Sequence, residues 1–148
     1  LATHVTPLIS KGVLNNWLLD SASARQLGSK PTGHASRGTS GAPGVASTNV
    51  HLMGGEASPG DLMQGIKRGL YITDLIGMGV NPVTGDYSRG ASGFLIENGA
   101  VGQAVAEITI AGTLQEMFAA LVPANDLVFR YAINVPTIRI DGMMVAGG

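Results

Sequence analysis

The chain has 148 residues, of which 45% are hydrophobic and 13% are charged, and its formal net charge at pH 7 is -1. This composition is typical of a globular domain with a buried core and argues against a disordered chain. The near-neutral charge excludes the basic surface that direct nucleic-acid binding requires. The sequence has no cysteine, which excludes disulfides and thiolate metal sites and favours a reducing compartment.

No membrane-spanning segment and no signal peptide are expected in this sequence. No apolar run approaches the roughly 18 residues of a membrane-spanning helix, so no membrane association is predicted. The first ten residues lack the charged and apolar blocks of a signal peptide. The chain begins with Leu1 and not with methionine, so we expect a fragment of a longer protein.

The first third of the chain has only weak patterns. Gly12–Leu19 reads as a short strand in which Trp17, the single tryptophan, is expected to anchor the core. A brief helix capped by Ser21 and closed by Gly28 is predicted next. Residues 29–48 are rich in Gly, Ser, Thr and Pro without any helical or strand period, which predicts a long flexible loop.

Stronger signals appear in the middle of the chain. Ser58 is a predicted N-cap, with Pro59 at the first helical position and Asp61 completing the capping box. Residues 70–75 alternate as a strand does. The glycine-rich segment Thr84–Gly93 is predicted to be a loop.

That loop leads into a predicted hairpin. Gly93–Glu97 reads as a strand, and Asn98-Gly99 is a strong signal for a two-residue hairpin turn. The alternating strand Val105–Ile110 would then pair with it in antiparallel fashion.

The last third begins with a second capping box, formed by Thr113 and Glu116. The helix after it has apolar residues at helical spacing up to Leu121 and Val122, and Pro123 ends it. Two further strands are predicted, at 126–131 and 135–140. Together these elements predict an α+β fold, a mostly antiparallel β-sheet or barrel-like domain with two or three short helices, as a single domain over residues 1–148.

Known catalytic patterns do not fit the polar residues. His4, His34 and His51 are separated by 30 and 17 residues, which is not the spacing of metal ligands on one helix. Ser88 lacks the first glycine of a nucleophile elbow, so it is not predicted to be a nucleophile. The sequence therefore predicts no catalytic residue and no metal ligand.

Two interpretations of the segment around Asp86 remain open. In the architectural one, Asp86 accepts backbone N–H groups in a turn, and the Arg89 guanidinium pairs with Asp86, Glu97 or a neighbouring chain. In the functional one, this segment lines a cleft and holds an extended peptide or another subunit. The predicted peptide-binding or interface residues are Asp86, Tyr87, Ser88, Arg89 and, at the start of the flexible segment, His34.

One long run of unusual residues resembles a known family. Gly77–Gly99, which includes Thr-Gly-Asp-Tyr-Ser-Arg-Gly-Ala-Ser-Gly, is similar to the C-terminal domain of the TldD/PmbA family, whose members are called modulators of DNA gyrase. Ser23–Gly28, Thr32–Ala35 and Val105–Gly112 support the resemblance. It covers nearly the whole chain apart from residues 36–54.

The resemblance implies a cytoplasmic protein that takes part in a metallopeptidase acting on unfolded or extended peptides. In that family a TldD-type subunit binds zinc through a His-Glu-x-x-x-His motif and a cysteine, and a PmbA (TldE)-type subunit pairs with it. This sequence has neither feature, which implies the PmbA side, with no cofactor here and zinc in a TldD-type partner. The expected partners are that subunit or a second copy, and an extended peptide, with no direct nucleic acid and no membrane.

Two alternatives stay open at this point. The chain could belong to a non-proteolytic regulatory or binding protein that modulates DNA gyrase. It could also belong to an active zinc peptidase whose ligands lie upstream of Leu1.

Overall fold

The computed structural model describes residues 5–147, so the prediction that concerns His4 lies outside the described part. The chain divides into two units. Unit 1 comprises Leu1–His51 with Tyr131–Ile133, and unit 2 comprises Leu52–Arg130 with Asn134–Gly148.

Unit 1 consists of short strands and one helix. Its elements are β1 (Ile9–Ser10), β2 (Val13–Leu14), α1 (Ser21–Gln26), β3 (Ala35–Ser36), β4 (Gly44–Val45) and β5 (Val50–His51). β1 pairs antiparallel with β2, and β3 with β4. The β3–β4 hairpin lies inside the segment predicted as a loop, where two-residue strands leave no periodic signal. The flexibility of residues 29–48 stays a prediction.

The N-cap of α1 is Asp20, and not Ser21 as predicted. The Asp20 carboxylate accepts a hydrogen bond of 2.7 Å from the backbone N–H of Ser23. Both residue types are good caps, and extended backbone at Asp20 puts its side chain in the capping position. The helix therefore begins one residue earlier than the sequence suggested.

Trp17 does not anchor the core of unit 1, contrary to the prediction, because its side chain is 61% exposed. The strand that was expected to reach it ends at Leu14. After that strand, the N–H groups of Asn15 and Asn16 donate to Leu8 O, which turns the chain. The buried hydrophobic positions described in unit 1 are Leu19 and Ala24.

Unit 2 is built on a four-stranded antiparallel sheet. Its elements are α2 (Pro59–Gln64), β6 (Arg68–Ile76), β7 (Asp86–Glu97), β8 (Ala100–Thr113), α3 (Leu114–Ala120), β9 (Leu121–Pro123), β11 (Ile138–Ile140) and β12 (Met144–Ala146), and β10 (Ile133–Asn134) has one residue in each unit. The strand order is β12-β8-β7-β6, and β9 pairs separately with β11. This confirms the predicted α+β class with mostly antiparallel strands and three short helices. The sheet is open at β6 and β12 and does not close into a barrel.

The predicted hairpin between β7 and β8 is confirmed. Asn98 and Gly99 both have positive φ, 49° and 81°, as a type I′ turn requires. Glu97 and Ala100 close the turn as paired residues.

The prediction of a loop over Thr84–Gly93 is wrong for most of its length, because β7 begins at Asp86. Its glycines mark close contacts inside a sheet. A Cβ on Gly93 would lie 2.0 Å from the carbonyl oxygen of Tyr71, so only glycine allows β6 to approach β7 there. Next to Gly93, the register shifts both in the pairing of β7 with β6 and in its pairing with β8, which indicates β-bulges.

The helix after Thr113 is shorter than predicted. The Thr113 side chain accepts from the backbone N–H of Glu116, so the predicted N-cap is confirmed. The helix ends at Ala120, because Leu121 and Val122 leave it to pair with β11. Pairing between distant segments overrides the local helical pattern here.

The two predicted strands near the C-terminus also differ from the structure. No strand forms over the described residues 126–131. The predicted strand over 135–140 is reduced to Ile138–Ile140, and Pro136, which has no N–H to donate, lies outside it.

The main buried cluster of unit 2 lies on one face of the sheet. Ala91, Ile108 and Ile110 form its buried centre. Partly buried side chains pack against this centre, namely Leu70, Ile72, Tyr87, Val105 and Met143. We call this side of the sheet the core face.

Replacement of Gly93 tests the close approach of β6 and β7. Gly93→Ala should lower the free energy of unfolding by about 2 kcal/mol or more, because the new methyl group collides with main-chain atoms that cannot move independently. Gly102→Ala is the matched control in the neighbouring strand, since its Cβ would meet Leu95 O at an ordinary 3.6 Å. Equal effects of the two substitutions in urea unfolding would contradict this account.

The capping box of α2 gives a second stability test. Ser58 Oγ accepts from Asp61 N at 3.1 Å, and Ser58 N donates to Asp61 Oδ2 at 3.0 Å. Ser58→Ala should destabilise the fold by about 1 kcal/mol in thermal or urea unfolding. Ser58→Thr keeps the accepting oxygen and should cost clearly less, whereas equal losses would show that the cap contributes nothing specific.

Candidate functional site

The four predicted site residues of unit 2 occupy consecutive positions on β7. Side chains alternate between the two faces of a strand, so Tyr87 and Arg89 lie on the same face as the buried Ala91. Asp86 and Ser88 lie on the opposite face, and both are exposed. The structure thus brings the four residues into one strand but divides them between two faces.

The turn that precedes β7 is organised by Asn81. Asn81 Oδ1 accepts hydrogen bonds from Val83 N at 2.9 Å and from Thr84 N at 3.3 Å. The architectural interpretation assigned such a role to Asp86, whose carboxylate instead accepts from the Thr84 hydroxyl at 2.5 Å. Asn-Pro is a common turn-initiating pair, and this signal could have identified Asn81 from the sequence.

Arg89 pairs with neither of the carboxylates that the sequence suggested. Its Nη2 donates to the carbonyl oxygen of Leu75 at 3.3 Å. Its Nε is buried and has no hydrogen-bond acceptor among the described residues. Hydrogen bonds from the described residues therefore satisfy the guanidinium only in part.

A backbone hydrogen bond fixes the position of Ser88. Its N–H donates to Gly79 O at 2.7 Å, and its exposed side chain has no hydrogen bond to a histidine or carboxylate in residues 5–147. Nothing in this part of the structure activates the hydroxyl group as a nucleophile.

His34 belongs to unit 1, where it is half-buried. Its Nδ1 lies 2.9 Å from the Thr32 hydroxyl. That hydroxyl also accepts from Leu19 N and donates to Leu19 O. His34 is thus part of a hydrogen-bonded network that ties its segment to the residue before Asp20.

A cleft of about 580 Å³ opens on the core face of unit 2. Its volume is within the range of pockets that bind small molecules or peptide side chains. We call it the unit 2 cleft. Apolar side chains from separate elements line it, among them Met63 of α2, Leu70 and Ile72 of β6, Met117 of α3, Met143 and Tyr87. The cleft could not be predicted from the sequence, since its walls come from segments far apart in the chain.

One wall of the unit 2 cleft is fixed by Arg139. Its Nε and Nη2 donate to the two carboxylate oxygens of Asp141, each at 2.9 Å. Its Nη1 donates to Leu62 O in α2, also at 2.9 Å. The Asp141 carboxylate raises the pKa of Arg139 above its ordinary value, so this cation stays charged and bridges β11 to α2.

A second polar contact holds the segment just before β11. Asp126 accepts from Thr137 N at 2.8 Å and from the Thr137 hydroxyl at 2.7 Å. These hydrogen bonds lower the pKa of Asp126, because they stabilise the carboxylate form. Thr137 lines the unit 2 cleft, so the contact also supports its wall.

Residues 5–147 contain no group of three or more His, Cys, Asp or Glu side chains placed to hold a metal ion. None of the helices in that range is long and apolar enough to cross a bilayer.

Residues 1–147 match the PmbA/TldA metallopeptidase C-terminal domain family. The chain belongs to this family. It is 41% identical over 146 residues to metalloprotease PmbA of Escherichia coli O157:H7, a match that covers 98% of this chain and 30% of that protein. The resemblance seen in the sequence is confirmed, and it covers almost the entire chain.

Two solved structures share the PmbA/TldA-type fold. TldE from Thermococcus kodakarensis superposes with a TM-score of 0.83 at 26% identity, over 95% of this chain and 33% of that one. A candidate modulator of DNA gyrase from Thermotoga maritima gives a TM-score of 0.81 at 32% identity, over 94% of this chain and 32% of that one. The chain spans about a third of the length of the curated relatives that it matches.

The Asp126–Thr137 contact predicts an acid-dependent loss of stability. The folded pKa of Asp126 is lowered, so its stabilising effect is present above the unfolded pKa of about 3.9 and is lost as the pH falls through the folded value. The difference in unfolding free energy between the wild type and Asp126→Asn should therefore be largest at neutral pH and shrink below about pH 4. Denaturant titrations at several pH values measure it, and a pH-independent difference would contradict the assignment.

Proposed function

We propose that this chain is the C-terminal domain of a PmbA (TldE)-type subunit in a TldD/PmbA metallopeptidase that acts on unfolded or extended peptides. The observation that carries the proposal is the match of residues 1–147 to the C-terminal domain of a metallopeptidase family. Likeness to PmbA in sequence and to TldE in structure supports placement on that side of the family. The peptidase activity of the complex, its peptide substrates and its cytoplasmic location are parts of this proposal.

In this proposal the domain is non-catalytic. The sequence has no cysteine to complete a TldD-type zinc site, and its three histidines are widely spaced. Zinc is held by a TldD-type partner subunit, and the contribution of this domain is to bind and orient the peptide. The domain has no cofactor of its own.

The unit 2 cleft is the proposed surface for the peptide. β6 is an edge strand of the sheet, and it lines the cleft with Leu70 and Ile72. An extended peptide can add to such an edge by main-chain hydrogen bonds and place alternate side chains in the cleft. Unfolded substrates present varied apolar side chains, and a cleft of this volume admits them.

Three methionines in the cleft favour broad side-chain specificity. Met63, Met117 and Met143 are half-buried and line the cleft. Methionine is unbranched and polarizable, so it adapts to apolar groups of different shape. This suits an enzyme whose substrates share an extended conformation more than a sequence.

The residues first selected from the sequence have different proposed roles. Tyr87 lines the cleft and is proposed to contact the peptide. Asp86 and Ser88 lie exposed on the other face, where they are available to a TldD-type subunit or to a second copy. Arg89 and His34 are proposed as further interface or peptide contacts.

A non-proteolytic role is the alternative, because the similar protein from Thermotoga maritima is described as a candidate modulator of DNA gyrase. The chain has no excess of basic over acidic residues, so such a role would act through protein contacts and not through DNA.

Degradation assays with the full-length protein separate these roles. Incubated with an unstructured peptide, the protein should be inactive alone and active with a TldD-type subunit, and a zinc chelator should abolish the activity. Activity that needs no partner and survives the chelator would contradict the proposal. A change in gyrase supercoiling without any peptide cleavage would favour the alternative.

A matched pair of variants tests the cleft in the same assay. Met117→Lys places a charge in the cleft and should raise KM for the peptide about tenfold with little change in kcat, because it removes binding common to substrate and transition state. Gln115→Lys, on the same helix but exposed, should leave both constants unchanged. Equal constants for both variants would exclude the cleft as the peptide site.

A further inference from the structure

Methionine sulfur is concentrated in the unit 2 cleft. The chain has six methionines and no cysteine, so thioethers are the only sulfur groups in it that an oxidant can attack. Three of the six line the cleft, and each comes from a different segment: Met63 of α2, Met117 of α3 and Met143 just before β12. We call these three the cleft methionines. The fold thus gathers half of the sulfur of the chain at one site.

Two of the cleft methionines lie over the same point of the sheet. A Cβ on Gly112 of β8 would lie 3.9 Å from Met117 Sδ and 4.0 Å from Met143 Cε. Gly112 is paired with Tyr87, which also lines the cleft. Because Gly112 has no side chain, both methionines can reach the sheet beside Tyr87.

The cleft methionines combine access with contact. All three are half-buried, and a cleft of about 580 Å³ admits a molecule as small as hydrogen peroxide. The susceptibility of a sulfur atom to oxidation follows its exposure, so a fully buried thioether would be protected. These three sulfur groups are within reach of an oxidant and also line the space that an apolar ligand group would occupy.

Oxidation by a peroxide transfers one oxygen atom to the sulfur. The thioether donates an electron pair to one oxygen of hydrogen peroxide, an S–O bond forms and the O–O bond breaks, and the other oxygen leaves as water with both protons. The sulfur loses two electrons and the peroxide gains them. The product is methionine sulfoxide, which reductases convert back to the thioether with two electrons and two protons from a dithiol, releasing the oxygen as water.

The sulfoxide changes what the cleft can bind. Its oxygen is a hydrogen-bond acceptor that water satisfies while the cleft is empty. An apolar side chain that enters the cleft displaces this water and leaves the acceptor unsatisfied, which opposes binding. Oxidation also replaces an adaptable apolar group with a polar one, so the cleft loses the property that suits it to varied apolar side chains.

We propose that Met63, Met117 and Met143 form a site of reversible oxidative modification, and that their conversion to sulfoxides by a peroxide prevents the peptide from binding in the unit 2 cleft. Reduction of the sulfoxides restores binding. The inference rests on the proposed function in taking an extended peptide as the ligand of the cleft, and it adds a modification that regulates the same site.

The other methionines of the chain provide an internal control. They do not line the cleft and are far more exposed, and they are Met53, Met78 and Met144, with exposed fractions of 75%, 99% and 69%. We call them the exposed methionines. Limited peroxide should oxidise them first and leave peptide binding intact, and binding should fall only as the cleft methionines react.

Peptide binding after graded oxidation tests the proposal. The full-length protein is treated with increasing hydrogen peroxide, freed of it, and titrated into a fluorescently labelled unstructured peptide, with anisotropy as the readout. Mass spectrometry of proteolytic fragments measures the sulfoxide at each methionine. Conversion of the cleft methionines should raise Kd for the peptide at least about tenfold, because a polar group then lies in an apolar site. Methionine sulfoxide reductases A and B should restore the original Kd.

A leucine variant assigns the effect to the cleft. Leucine is similar to methionine in volume and cannot form a sulfoxide, so Met63→Leu/Met117→Leu/Met143→Leu should have the same Kd before and after peroxide. Each variant is compared with its own untreated form, so a change in basal affinity does not affect the result. The single substitution Met117→Leu, which disturbs the packing least, should reduce the loss of affinity in part.

The matched control removes the exposed methionines. Met53→Leu/Met78→Leu/Met144→Leu should lose affinity on oxidation as the wild type does. Protection by this variant equal to that of the cleft variant would contradict the assignment.

Three further outcomes overturn the proposal. The first is an unchanged Kd when all three cleft methionines are sulfoxides. The second is a loss of affinity that the cleft variant shares, which would place the sensitive residue elsewhere in the longer protein. The third is a loss of the near-ultraviolet circular dichroism signal on oxidation, which would make unfolding the cause.

These failures are distinguishable from failure of the proposed function. In each of them the untreated protein, combined with a TldD-type subunit, would still degrade the peptide in a chelator-sensitive way. Absence of peptide binding before any treatment would overturn this inference and would count against the proposed function as well.

Discussion

The close antiparallel pairing of β6, β7 and β8 is the constraint on which unit 2 depends. At Gly93 the main chain of β6 comes so near to β7 that a side chain cannot be accommodated. Next to this residue, the register shifts in the pairing of β7 with β6 and in its pairing with β8. The register decides which side chains of β7 face the core. It buries Ala91, turns Tyr87 toward the unit 2 cleft and places Arg89 where no described acceptor reaches its Nε.

The unit 2 cleft and the Arg89 side chain lie on the same face of this sheet. The unit 2 cleft is apolar and lined by adaptable methionines, which suits ligands that vary in side chain. Leu75, whose carbonyl oxygen accepts a hydrogen bond from Arg89, also lines this cleft. In the proposed function, the unit 2 cleft receives the peptide.

Features that depend on residues close together in the chain could be predicted. The capping box of α2 and the Asn98-Gly99 turn were recognised because each requires only two to four neighbouring residues. The helix after Thr113 was predicted correctly at its start and wrongly at its end. Its cap depends on neighbouring residues alone. The last residues of the predicted helix instead form β9 and pair with β11, a distant segment that the helical pattern does not reveal. The prediction that Trp17 lies in the core was wrong for a similar reason, since the burial of a side chain depends on the packing of distant segments.

The sequence by itself determined the α+β class, the central hairpin, the helix caps and the membership of the PmbA/TldA family, because these follow from local conformational preferences and from a long characteristic run of residues. Only the tertiary structure decided that the glycine-rich segment from Asp86 is a strand, that methionines from three segments line one cleft, and that Arg89 lacks an acceptor within the described chain. These features depend on contacts between residues far apart in sequence. A glycine that permits such a contact has the same local signature as a glycine in a loop.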